Sequence, residues 1–182
     1  MSDVKSENPR KIAGVAFLVL AFFVLCVGVY FVSQGKSDDI AQERERINKE
    51  IKDAVSYGQS GDYERAVALL KELVTKHPKN SDALYNYGVA LRSVRKLSDA
   101  DQVFQDLLEI NSKDYEAWAE RANLAVLENN LETAFDYLEK IPRGEGQLIL
   151  RLRTDPQWQA LEKHPRMNKI RSLQGLTKLN YQ

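Results

Sequence analysis

Hydrophobic residues follow two different patterns along this chain. From Ile12 to Val32 they run without interruption, 21 residues with no charge and no strongly polar side chain. At about 1.5 Å of rise per residue, a helix of that length crosses a hydrocarbon core of about 30 Å. Beyond Ser33 the pattern becomes periodic. Apolar residues recur at i, i+3 and i+4, as in Ala66, Leu69, Leu70 and Leu73, the spacing of amphipathic helices. An all-α chain is therefore expected, with a transmembrane helix followed by amphipathic helices.

The apolar run reads as an uncleaved anchor. A signal peptide has a shorter apolar stretch of about 7–15 residues and small residues at its cleavage site. Here the run ends in Tyr30-Phe31-Val32-Ser33-Gln34, and Leu25 precedes Cys26 where a lipoprotein needs a small residue. Lys5, Arg10 and Lys11 flank one side, while Lys36, Asp38 and Asp39 flank the other. The positive-inside rule puts the N-terminus in the cytoplasm and the rest across the membrane, in a bacterium the periplasm. Gly14, Ala21, Gly28 and Gly35 recur every seven residues. Such a small-residue stripe suits close helix pairing, although glycine and alanine are also common in membrane helices.

The periodic part repeats itself every 34 residues. Ala66, Ala100 and Ala134 form one column, and Ala54, Gly88 and Ala122 a second. Large residues form others: Leu70, Phe104 and Leu138; Leu73, Leu107 and Ile141; Tyr63, Leu97 and Leu131; Tyr57, Leu91 and Ala125. Small columns mark where paired helices cross closely, and large columns fill the space between pairs. Punctuation agrees with this register. Gly58 and Gly61 bracket one turn, His77-Pro78 ends a helix, Asn80 or Ser81 caps the next, and Asn129-Asn130 breaks a later pair.

These columns resemble the tetratricopeptide repeat family. Ser81 to Asp114 carries Leu84, Tyr87, Gly88, Leu91, Ala100 and Phe104 in register. Tyr115 to Leu148 opens with Trp118, Ala122 and Ala134, but Pro142 cuts its second helix short. Ile47 to Asn80 supplies Ala54, Tyr57, Ala66 and Pro78, with Glu50 and Asp53 where apolar residues are usual. The resemblance implies an α-solenoid of about three helix-turn-helix repeats. The expected organisation is a tail at 1–11, the anchor at 12–32, a linker at 33–37, the array at 38–142 and a basic capping region at 143–182. Residues from Leu152 to Ile170 resemble the closing segment of many bacterial tetratricopeptide proteins. Thr154 or Asp155 would cap a helix opened by Pro156, Pro165 would open another, and Trp158, Leu161, Met167 and Ile170 would cover the end of the array.

Candidate chemistry is sparse. The only histidines, His77 and His164, each precede a proline at a helix boundary, and Cys26 lies within the apolar run. Usual Cys/His zinc spacings and a nucleophile–base pair are therefore absent from the sequence. Gly144-Glu145-Gly146 follows no strand and reads as a link, not a phosphate loop. No catalytic residue, metal or cofactor is assigned. Lys+Arg and Asp+Glu both number 26, which gives no argument for nucleic acid. The charge is uneven, however: Ser33–Pro142 holds 15 basic against 21 acidic residues, and Arg143–Gln182 holds 8 against 3. Either the basic tail folds onto the acidic array, or Arg166, Lys169, Arg171 and Lys178 meet anionic lipid or an acidic partner.

In the family resembled, the first helix of each repeat lines a concave face. The resemblance places Ile51, Val55, Tyr85, Val89, Arg92, Asn123 and Val126 there, a partly apolar groove for a peptide or helix. Alternatively, Ile51, Val55 and Val89 pack against the cap or a neighbouring subunit. The five-residue carboxylate clamp of chaperone-binding relatives falls on Ile51, Val55, Asn86, Glu116 and Glu120, of which only Asn86 matches; a C-terminal carboxylate would be repelled. The expected function is a membrane-anchored, non-enzymatic scaffold that recruits a protein of an envelope complex, with lipid contacts through the anchor. A structural homo-oligomer assembled through anchor and groove is the alternative.

Overall fold

The computed structural model describes residues 9–142, 144–145, 148 and 158–174. Side chains are described from residue 22 onward, except at 24, 26, 28, 29, 31–33, 35, 160, 173 and 174. All regular elements among these residues are helices: α1 Pro9–Gln59, α2 Tyr63–Lys76, α3 Ser81–Ser93, α4 Leu97–Ile110, α5 Tyr115–Leu127, α6 Leu131–Leu138, α7 Gln159–Glu162 and α8 Arg166–Gln174. The chain divides into two units, Met1–Asn48 and Lys49–Gln182.

In the first unit the backbone is helical through residues 33–37, the expected linker. Gly35 is the only poor helix former there, and one such residue costs about 1 kcal/mol, too little to stop a long helix. Phe22, Phe23, Leu25 and Tyr30 are each 64–70% exposed. Among the described residues no helix is long and apolar enough to cross a membrane. Most side chains of Ile12–Val32 lie outside the description, and so does the packing around Gly14, Ala21 and Gly28.

The second unit stacks three helix pairs: the end of α1 with α2, α3 with α4, and α5 with α6. Contacts run in chain order from α2 to α6, and α8 returns to α6. Each pair contributes one core layer. Ala54, Ala66, Leu70 and Ala90 form the first; Leu84, Leu91, Ala100, Phe104, Leu107 and Leu124 belong to the second. The third joins Ala122, Ala134, Phe135 and Leu138 to Trp158, Leu161, Met167 and Ile170.

The 34-residue period extends to backbone detail. Gly61, Arg95 and Asn129 occupy the same turn with φ of +88°, +63° and +59°. One residue later, the amides of Asp62, Lys96 and Asn130 donate back to the carbonyls of Tyr57, Leu91 and Ala125. This is the hydrogen bond that closes a helix on a left-handed residue. Asp62 and Asn130 then cap the following helices, accepting from the amides of Arg65 and Thr133 at 3.2 Å. Lys96 has no side-chain cap bond. Asn80 and Asp114 cap α3 and α5 in the same way, at 2.9 and 3.0 Å.

Size compensation sets the helix crossings. A Cβ added at Gly88 would lie 2.6 Å from the Phe104 ring, so the second pair needs glycine where the others have Ala54 and Ala122. Those pairs carry Leu70 and Leu138 in place of Phe104.

Candidate functional site: a groove open at one end and closed at the other

The seven residues expected along the concave face divide into four groups. Ile51 is buried at 9% exposure. Val55 and Val89 are half-buried and line a cleft of about 230 Å³ between the end of α1, α2 and α3. Its other walls are Ala54, Gly58, Gln59, Tyr63 and Ala66, with Leu70, Asn86, Ala90 and Ser93. None of these eleven residues is an acid, a lysine, an arginine or a histidine. Asn86 and Ser93 turn a donor back to the carbonyls of Asp82 and Val89, at 2.7 and 3.0 Å.

Tyr85 and Arg92 lie further along. Tyr85 is half-buried, its ring edge-on to Phe104 with centroids 6.0 Å apart. Arg92 Nε stands 3.0 Å from Glu120 Oε2, an ion pair whose angle falls outside hydrogen-bond geometry. Both side chains are largely removed from water, at 26% and 13% exposure. Arg92 is thus neutralised within the array and does not offer a free cation to a ligand.

Asn123 and Val126 do not line an open groove. They are 5% and 8% exposed, and Trp158 Nε1 donates to Asn123 Oδ1 at 3.4 Å. Trp158 itself is fully buried, in one cluster with Ala119, Ala122, Val126, Phe135 and Leu138. The concave face of the third repeat is therefore filled by the chain's own C-terminal segment. The sequence carried a signal for this in Ala119, which stands where the preceding repeat has Tyr85 and leaves room for an indole.

An ionic clasp holds that segment. Arg166 meets Glu132 at 2.7 Å, Asp136 at 2.8 Å and Glu139 at 2.8 Å, and Lys169 meets Glu139 at 2.7 Å. His164 stacks on Phe135 at 4.8 Å, with Nε2 3.3 Å from Glu132. Hydrogen bonds from Lys169 and then Arg166 hold the Glu139 carboxyl below its ordinary range, and Glu139 with its neighbours raises the Arg166 guanidinium. Arg171 pairs with Glu162 inside the segment, and Lys178 lies outside the described residues. Arg166 and Lys169 of the basic tail thus meet the acidic array directly. His77, the other histidine, closes α2 with its amide on Leu73. Among the described residues no group of three or more His, Cys, Asp or Glu side chains is placed to hold a metal.

On the outer side, Arg121 binds Asp101 through two hydrogen bonds of 2.7 and 2.9 Å and lies 4.4 Å from the centre of the Tyr137 ring. This ties α4, α5 and α6 together and is structural.

Residues 59–124 match the tetratricopeptide repeat family model. No curated protein matches the chain in sequence. Among solved structures, the Yersinia enterocolitica type III secretion translocator chaperone SycD superposes with a TM-score of 0.52 at 17% identity, over 73% of this chain and 92% of that one. SycD in complex with a peptide of the translocator YopD gives 0.52 at 17%, over 74% and 94%. The second tetratricopeptide domain of Spaghetti (RPAP3), bound to an HSP90 peptide, gives 0.50 at 18%, over 54% and 92%. MamA is also similar, with a TM-score of 0.49 at 19% identity, and the chain spans 55% of its length. At these identities the likeness is one of fold. Residues 59–124 are therefore tetratricopeptide repeats, and the helix pairs of Lys49–Gln182 form an all-helical array that shares their fold.

Proposed function

We propose that this protein is a membrane-anchored scaffold whose concave face recruits a segment of a partner protein, in a bacterium at the inner membrane with the array on the periplasmic side. The observation that carries the reading is the uneven groove: Val55, Tyr85 and Val89 remain partly open while Asn123 and Val126 are closed. An array serving only as packing would have no reason to leave apolar side chains uncovered at one end. The likeness to SycD with a YopD peptide, and to the Spaghetti domain with an HSP90 peptide, supports a groove for peptides or helices. Support for the anchor comes from the uncharged run Ile12–Val32 and from Phe22, Phe23, Leu25 and Tyr30, whose exposure suits lipid better than water. The partner is distinct from acidic C-terminal tails, because none of the clamp positions Ile51, Val55, Asn86, Glu116 and Glu120 holds a lysine or arginine.

Two measurements test this reading. A photoreactive residue at Tyr85 in native membranes should give one dominant adduct with another protein; adducts only with the chain itself would favour self-assembly. Removing residues 1–32 should release the array from membranes and abolish its function in cells. Full function without the anchor would overturn the scaffold.

A further inference from the structure

The three interfaces along the array can be compared column by column, because 34 residues separate equivalent positions. Ala90, Leu124 and Trp158 form one such column, and Gly58, Arg92 and Val126 another. Each member of the first column packs on the preceding helix pair. Ala90 clusters with Ala54, Ala66 and Leu70; Leu124 with Ala100 and Phe104; Trp158 with Ala122, Ala134 and Leu138. The surroundings are equivalent, but the filling residue grows from a methyl group to an isobutyl group to an indole. Where it is smallest, Gly58 also lacks a side chain, and the cleft of about 230 Å³ opens at that point.

Resting on the groove reading above, we infer that the cleft at Ala90 and Gly58 is a specificity pocket for one bulky, uncharged apolar side chain presented by the partner. The protein fills the equivalent space two repeats later with its own Trp158, which sets both the size and the chemistry of the occupant. An apolar cavity of about 150 Å³ holds a benzene ring, so this cleft accommodates an indole, a phenyl or a leucine side chain. A charged group is excluded. No carboxylate, lysine, arginine or histidine lines the cleft to compensate its desolvation, and Val55, Val89, Leu70 and Tyr63 offer only apolar contact or a hydroxyl. Gln59, Asn86 and Ser93 lie at the walls, where they can meet the polar backbone that carries the inserted side chain.

The test uses the full chain in lipid nanodiscs, with N-acetyl-L-tryptophanamide as probe and N-acetyl-L-lysinamide as its charged counterpart. Methyl NMR of Val55, Leu70 and Val89 should show saturable shifts with the tryptophan probe and none with lysine. Ala90→Leu recreates the filled interface of the second repeat. It should weaken the probe by about tenfold or more, the value of one buried apolar side chain, while melting no lower than the parent. Gly58→Val, which copies Val126 and whose first added atom meets nothing within 4 Å, gives an independent block. Absence of saturable shifts, or equal shifts in both variants, would overturn the pocket. Crosslinking from Tyr85 separates this failure from that of the groove itself. A partner captured equally by the parent and by Ala90→Leu leaves the groove standing and removes the pocket. No partner captured by either removes the groove.

Discussion

The first and third repeats are built on one plan and finished differently. In the third, Trp158 fills the apolar space and Arg166 and Lys169 clasp the segment to Glu132, Asp136 and Glu139. In the first, Ala90 and Gly58 leave the same space empty beside Val55 and Val89. A solenoid must close its ends to stay soluble. Here one end is closed by the chain's own side chain, and an interior interface keeps an open cleft. The same column is thus filled at one place and left open at another.

The largest effect on this contrast should come from emptying the filled side. Trp158→Ala removes a fully buried indole and the partner of Asn123, and should lower stability by about 3–5 kcal/mol in denaturant melts. Next is Gly88→Ala, whose methyl meets Phe104 at 2.6 Å and should cost about 1–3 kcal/mol. Adding Phe104→Leu, the pairing found with Ala54 and Ala122, should recover most of that loss. Filling the open side works in the other direction: Ala90→Leu should stabilise by about 0.5–2 kcal/mol, since the cleft is a packing deficit in the free protein. Arg95→Gly should add about 1 kcal/mol, because Arg95 holds a φ of +63° where the equivalent residue of the first repeat is Gly61.

The smallest effect concerns pH. Glu139 has a folded pKa below its ordinary value, so its contribution is fully present above the unfolded pKa and is lost as pH falls through the folded one. The clasp should therefore weaken below about pH 4.3, by no more than about 1 kcal/mol at this partly exposed site, and less in high salt. Fluorescence of Trp158 in a Trp118→Phe background reads the change.

Much of the array was legible in the sequence because a repeat multiplies a weak local signal. The columns at Ala54, Ala66 and Leu70 predicted the three pairs that the structure contains. Asn80 stood out, with Ser81, as a candidate cap because its side chain suits that role, and Asn129-Asn130 as a break between helices. What the period concealed was which face of each repeat is occupied. Asn123 and Val126 belong to the concave columns by number, but their exposure depends on Trp158, 35 residues beyond Asn123. Likewise the cleft is created by what Ala90 and Gly58 lack, and pattern reading favours side chains that are present. Arg95 at a left-handed position was illegible for a related reason: the turn is imposed by its neighbours, not by arginine.

The most direct test of the account is a paired photocrosslinking experiment on the full chain in native membranes, with the reactive group at Val89 in one sample and at Asn123 in the other. Val89 should give an adduct with another protein that disappears in the Ala90→Leu background, and Asn123 only a link within the chain to the segment around Trp158. A foreign adduct from Asn123 with none from Val89 would contradict it.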